Sequence, residues 1–296
     1  MAAGRERPGP QPQIWETDVT DKKRIKTETN GFTLIELLVV IAIIGLLLSI
    51  ILPSLRLAKE QGRKIVCKSN LSQVAKAVEL YEMQYNYKRF VIRKDASETD
   101  DYWMGKLAPF LGDVYYAQQY QEGKKIDILL CPSAPYDRFQ ADPSGPYANP
   151  SGQYGTARTP WSWARSTGRS TIGSIGINGW VGLDYYYETD SMYAPYFFTN
   201  WMDISPTVPL FADCVWTIGW PRGNDVPPET LQGSTAAQLP ANSDNMRRFC
   251  IDRHSRQINI IFRDLHADTV KLEALWTLHW SRGYQVPSPL PRLPNK

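Results

Sequence analysis

The feature that most constrains this chain is the run FTLIELLVVIAIIGLLLSIIL, residues 32–52, in which Glu36 is the only charged side chain. As a helix rising about 1.5 Å per residue it spans roughly 30 Å, the thickness of a bilayer's hydrocarbon core. An ordinary secretory signal has a shorter apolar region closed by small residues, whereas this run continues into Pro53 and SLRLAKEQGRKIV. The residues before it are polar, with Pro8, Pro10 and Pro12 and the basic cluster KKRIK at 22–26, and read as a disordered cytoplasmic leader. Basic residues flank the run on both sides, so the positive-inside rule alone does not orient it.

Beyond the run, Leu55, Ala58, Ile65, Val66, Val74, Ala77, Val78, Tyr81 and Tyr85 recur mostly at three- and four-residue steps, with Lys and Glu between them. This spacing predicts that the helix continues to about Tyr87 as an amphipathic rod. Pro53 lacks an amide hydrogen and is expected to kink or locally melt the helix, and Gly62 is a weak point. From Phe90 onward the helical period fades into a chain rich in Pro, Gly, Tyr and Trp. KIDILLCP (125–132), TVPLFADCVW (207–216) and QINIIFRD (257–264) read as strands, and 133–171 reads as a long surface loop.

Composition narrows the function classes. A net charge of +3 with no long basic stripe argues against nucleic acid as a partner. No G-x-S-x-G, Walker loop, H-E-x-x-H or dinucleotide fingerprint is present, so neither catalysis nor a cofactor is expected. The four cysteines, Cys67, Cys131, Cys214 and Cys250, lie far apart with no C-x-x-C pair, which argues against a cysteine metal site and leaves two disulfides or four small buried side chains. His254, Asp264, His266 and Asp268 form a cluster of ligand-type residues near the carboxy terminus; alternation on an exposed strand gives the same pattern, and no metal is assigned to it. Trp161, Trp163, Trp180, Trp201, Trp216 and Trp220 would suit either a carbohydrate platform or a loop-rich core.

The residues G-F-T-L-I-E at 31–36, followed by the apolar run with Gly45 and Pro53, resemble the cleavage and methylation signature of the type IV prepilin superfamily, which includes pilins and the pseudopilins of type II secretion. The resemblance covers Gly31 to about Tyr87. It implies that a prepilin peptidase cuts between Gly31 and Phe32 and N-methylates Phe32, and that the carboxy-terminal domain faces the periplasm from a single inner-membrane span. It also implies assembly with other pilin or pseudopilin subunits on an inner-membrane platform, into a secretion pseudopilus or a cell-surface filament. Glu36 would then pair with the Phe32 amine of a neighbouring subunit; two unit charges about 4 Å apart attract by about 4 kcal/mol at an effective dielectric of 20, before desolvation. CPS at 131–133, GINGW at 176–180 and PLFADC at 209–214 resemble a branch of prepilin-like proteins with an H-x9-D-G signature. His254 and Asp264 keep its spacing here, and Leu265 replaces the Gly.

The sequence therefore predicts an α+β protein of pilin-like organisation. A leader (1–31) precedes a membrane or filament-core helix (32–53) and an amphipathic continuation (54–90), and a β-rich domain with an antiparallel sheet (91–296) packs on that continuation. In an oxidising periplasm, disulfides Cys67–Cys131 and Cys214–Cys250 are expected. The reading is a structural subunit of a protein-secretion or pilus machine. The alternative is an anchored periplasmic binding module, for carbohydrate by its aromatics, in which the helix is only a tether.

Overall fold

A computed structural model describes residues 33–86, 90–93, 103–111, 126–135, 148–149, 152–164, 170–184, 191–233 and 245–294. The expected leader and the Gly31–Phe32 junction lie outside these residues. The chain divides into two compact units, Met1–Leu52 and Pro53–Lys296.

In the first unit the described residues are Thr33 and the start of helix α1, Leu34–Gln84. Every residue from Thr33 to Leu52 is exposed, including the apolar side chains from Leu34 to Leu52. Among the described residues, α1 is the one helix long and apolar enough to cross a membrane. Pro53 lies inside α1 and does not end it, in contrast to the expected local melting. A proline removes a single amide donor, and the turns on either side keep theirs. Gly62 does not interrupt the helix either.

In the second unit α1 buries Cys67, Leu71, Val74, Ala75, Ala77, Val78, Tyr81 and Glu82. Positions 67, 71, 74, 78 and 81 alternate steps of four and three, one stripe along a helix. The stripe differs from the expected one at its ends: Leu55, Ile65, Val66 and Tyr85 are exposed. Apolar type alone places them inward, while Cys67 is inside facing Asp213. The helix stops at Gln84, three residues before the expected end, where Asn86 takes a left-handed conformation (φ 56°) of the kind that closes helices.

The central sheet has the order β11-β10-β8-β6-β9. Its strands are β6 (Ile175–Asn178), β8 (Pro209–Asp213), β9 (Ile218–Gly219), β10 (Gln257–Phe262) and β11 (Ala267–Lys271). All neighbours are antiparallel except β6 and β9, which run parallel. Strands β8 and β6 are buried throughout and β10 nearly so, which explains why apolar residues dominate them, whereas edge strand β11 keeps charged residues toward solvent. Polar contacts fasten α1 to this sheet: Asn259 Nδ2 donates to Lys64 O (3.1 Å), Lys64 Nζ donates to Gln257 Oε1 (2.9 Å), and Lys68 pairs with Asp268 (3.8 Å). Short helix α2 (Trp103–Leu107) adds Trp103, whose ring packs 5.1 Å from that of Phe211 and whose Nε1 donates to Thr217 O.

Two strand expectations hold at 209–213 and 257–262. The third does not: 127–129 form a 3-10 turn, and Leu130 and Cys131 follow it without joining a sheet. Ile126, Ile128, Leu129 and Leu130 are nonetheless buried, so the apolar run marks core and not strand. The region read as one long loop contains an antiparallel sheet of β2 (Ala148–Asn149), β3 (Gly152–Gln153), β4 (Trp161–Ala164) and β5 (Ser170–Gly173). Its strands are so short and rich in Gly and Ser that a search for apolar alternation passes over them. Strand β1 (Val91–Arg93) pairs in parallel with β7 (Leu183–Asp184).

Candidate functional site

The first candidate lies at the start of α1. Thr33 precedes the helix, and its side-chain Oγ1 accepts from the Glu36 amide (3.2 Å), while the Thr33 amide and hydroxyl both donate to Glu36 Oε2 (2.8 Å each). This reciprocal arrangement is a capping box, which satisfies two amides that helical geometry leaves without partners. The T-x-x-E spacing of residues 33–36 is the sequence signal of this cap. Glu36 therefore has a role within its own chain, and both of its bonds to Thr33 use one carboxylate oxygen.

The second candidate is internal to the second unit and joins four elements. Cys67 comes from α1, Cys131 from the residues after the 127–129 turn, Asp213 from the end of β8, and His254 from the approach to β10. Their ligand-type atoms all lie within 4.8 Å of one another, and all four residues are buried. Cys67 Sγ donates to Asp213 Oδ1 (3.2 Å); His254 Nε2 is 3.3 Å from Cys131 Sγ and 3.4 Å from Asp213 Oδ2.

The surroundings hold each member in place. His254 Nδ1 is 3.1 Å from Glu60 Oε1 and 3.5 Å from Ser133 Oγ, and Ser133 Oγ donates to the same Glu60 oxygen (3.0 Å). The Ser133 amide donates to Cys131 Sγ (3.5 Å), and the Cys131 amide donates to Ser174 Oγ. Asp213 Oδ2 accepts from the Asn259 amide (2.8 Å), and its Oδ1 accepts from Arg253 (3.3 Å). Arg253 is itself fully buried and donates to the carbonyls of Thr156, Ala157, Ser174 and Cys214. A buried carboxylate and guanidinium with this many bonds are held rigidly.

Burial acts against charge at each of these groups, and the neighbours override it at three. Burial would lower the His254 imidazole, but the Asp213 carboxylate raises it to about 10. Burial would raise the Asp213 carboxyl, but His254 and Arg253 hold it well below the usual range. The Cys131 thiol is lowered despite burial by the neighbouring Cys67, His254 and Arg253, while burial pushes Cys67 up. Cys214 and Cys250 lie outside the cluster, and burial lifts each to about 12.

All four cysteines are free and buried, so neither expected disulfide is formed. Cys67 and Cys131 do come together, but in company with a carboxylate and an imidazole. The ligand-type residues grouped from the sequence separate: His254 turns inward, whereas Asp264 and His266 bond to each other in the exposed turn after β10, and Asp268 pairs with Lys68. Leu265 takes φ 66°, so the left-handed turn expected of a Gly is made by a Leu. Trp161, Trp180, Trp201, Trp216 and Trp220 are buried, so they pack the core and present no platform.

Comparison with known proteins places the amino-terminal candidate. The family model described as the prokaryotic N-terminal methylation motif matches residues 28–52. The chain is 41% identical over 57 residues to the type IV wide pilus major component PilA4 of Thermus thermophilus, covering 19% of this chain and 44% of that one. It is 31% identical over 58 residues to the type II secretion system core protein G of Pseudomonas aeruginosa, covering 20% of this chain and 41% of that one. The chain thus spans less than half the length of the curated relatives it matches. No solved structure matches it.

Proposed function

We propose that this protein is a pilin-like structural subunit, anchored in a membrane by the apolar half of α1 and assembled with other subunits through that same helix. The observation that carries the reading is the exposed apolar surface from Leu34 to Leu52, on a segment that carries the prepilin methylation motif. A surface of that extent needs lipid or other subunits to cover it. Prepilin peptidase would cleave between Gly31 and Phe32, leaving an amine one residue before the Thr33–Glu36 cap, and the β-rich unit would stand in the periplasm. Its work would be assembly, with no catalytic step, on an inner-membrane platform of the type II secretion or type IV pilus kind. The tether reading shares the helix and differs in lacking subunit contacts.

The test compares wild type, Gly31→Asp and Leu47→Lys in the native host. Wild type should lose residues 1–31, gain one methyl group and appear in sedimentable filaments. Gly31→Asp should stay uncleaved, and Leu47→Lys should lose filaments. Processed protein that never leaves the membrane as an assembly would overturn the reading in favour of a tether.

A further inference from the structure

We propose that Cys67, Cys131, Asp213 and His254 hold one zinc ion, which fastens α1 to the central sheet. This inference is independent of the assembly reading, since all four residues belong to the second unit.

The donor set comes first. Two sulfurs, one imidazole nitrogen and one carboxylate oxygen suit a four-coordinate borderline-soft ion; magnesium and calcium prefer all-oxygen sets of six or more. Bond lengths to zinc of about 2.0–2.3 Å place neighbouring tetrahedral ligand atoms roughly 3.4–3.8 Å apart. The observed separations are 3.3 Å (Cys131 Sγ to His254 Nε2) and 3.4 Å (His254 Nε2 to Asp213 Oδ2), within a few tenths of an ångström of that geometry, and the four ligand-type atoms all lie within 4.8 Å of one another. The site is closed, with Cys67, Cys131 and Asp213 fully buried and His254 2% exposed. That is the condition of a structural zinc site and leaves no entry for a substrate, which argues against a reactive Cys131–His254 pair.

The groups around the ligands have the arrangement that metal ligands need. His254 directs Nε2 at the cluster and Nδ1 at the Glu60 carboxylate, which in turn is fixed by Ser133; a carboxylate on the far nitrogen sets the tautomer and orients the ring. Cys131 Sγ accepts an amide hydrogen from Ser133, a bond that stabilises a thiolate. Asp213 can present Oδ2 while Arg253 holds Oδ1. Charge also closes: two thiolates, a carboxylate and a neutral imidazole carry −3, zinc brings this to −1, and the buried Arg253 guanidinium offsets the remainder. Binding releases to solvent the protons that the thiols and His254 Nε2 carry in the metal-free site.

The experiment uses the full chain extracted in detergent. After dialysis against zinc-free buffer, elemental analysis should give one zinc per chain, and the denatured protein should show four free thiols. Replacement by cobalt(II) should produce a thiolate-to-metal charge-transfer band. Cys67→Ser and Cys131→Ser should each lose the metal, and Cys250→Ser should keep it. Glu60→Gln leaves the four ligands in place and should weaken zinc binding by about 10- to 100-fold, which keeps the proposal testable if the cysteine variants fail to fold. A Cys67–Cys131 disulfide in the purified chain, no zinc uptake on refolding with zinc, or unchanged zinc content and affinity in the Cys67, Cys131 and Glu60 variants would each overturn the site.

Discussion

Glu82 offers a sharp test of the packing of α1 against the rest of its unit. It sits on the last buried turn of the helix, fully enclosed, and neither carboxylate oxygen has a hydrogen-bond partner among the described residues. Burial pushes the carboxyl up to about 8, against the weaker pull of the Arg263 guanidinium. The folded protein therefore holds this group protonated in a range where the unfolded chain has released the proton. Stability from this group is fully present below the unfolded value near 4.5 and is lost as pH rises through 8. The limiting slope is about 1.4 kcal/mol per pH unit. Allowing for residual solvent screening, the loss across the window is on the order of 2–4 kcal/mol. Glu82→Gln keeps the shape and removes the titration. Urea unfolding of the detergent-extracted chain, followed by tryptophan fluorescence at intervals from pH 5 to 9, should show wild type losing stability relative to the variant, with the variant the more stable at pH 8. Parallel curves for the two proteins would refute the argument that burial of Glu82 outweighs the pull of Arg263.

Three further outcomes are expected. Arg253→Met should cost about 3–5 kcal/mol in the same unfolding assay, because it strips Asp213 of its guanidinium and leaves several buried carbonyls without a donor; a loss under about 1 kcal/mol would show the network to be slack. Leu265→Ile, equal in volume but β-branched, should cost about 1 kcal/mol at φ 66°, and an unchanged midpoint would exclude the left-handed turn. Glu36→Val should leave unfolding of the second unit unchanged and permit cleavage at Gly31, yet reduce filament yield, whereas Thr33→Ala should lower it less; equal filaments from all three proteins would remove any assembly role for the carboxylate.

What the sequence disclosed depended on how locally each feature is encoded. The apolar run of α1 was legible because a bilayer imposes one rule on some twenty consecutive residues. Strands β8 and β10 were legible as continuous apolar segments bounded by turn residues, and Leu265 was marked as the residue standing where a Gly would be expected. The stripe on α1 is legible only in part. A helix face is defined by what covers it, so residue type points Leu55 and Ile65 inward although they are exposed, while Cys67 is buried. The run at 125–132 was apolar for burial beneath its neighbours, and no alternation within it could separate a strand from a packed turn.

The buried cluster shows where local reading stops and why. Three of its members, Cys131, Asp213 and His254, lie within or beside segments that stand out as motifs, yet each segment supplies only one residue to the cluster. Metal sites are read from sequence when two ligands share a turn, as in C-x-x-C, because the turn fixes their separation. Here the separation is fixed by the sheet: the pairing of Ile260 with Ala212 sets β10 beside β8, so that Asn259 can bond Asp213 and the residues leading into β10 can bring His254 alongside it. The helix then adds Cys67 through the contacts of Lys64 with Asn259 and Gln257. Such a site can form only after the sheet and helix have met, so it would report on completed folding of the unit. The same dependence explains how cysteines so far apart in the chain can share one buried position with a carboxylate and an imidazole.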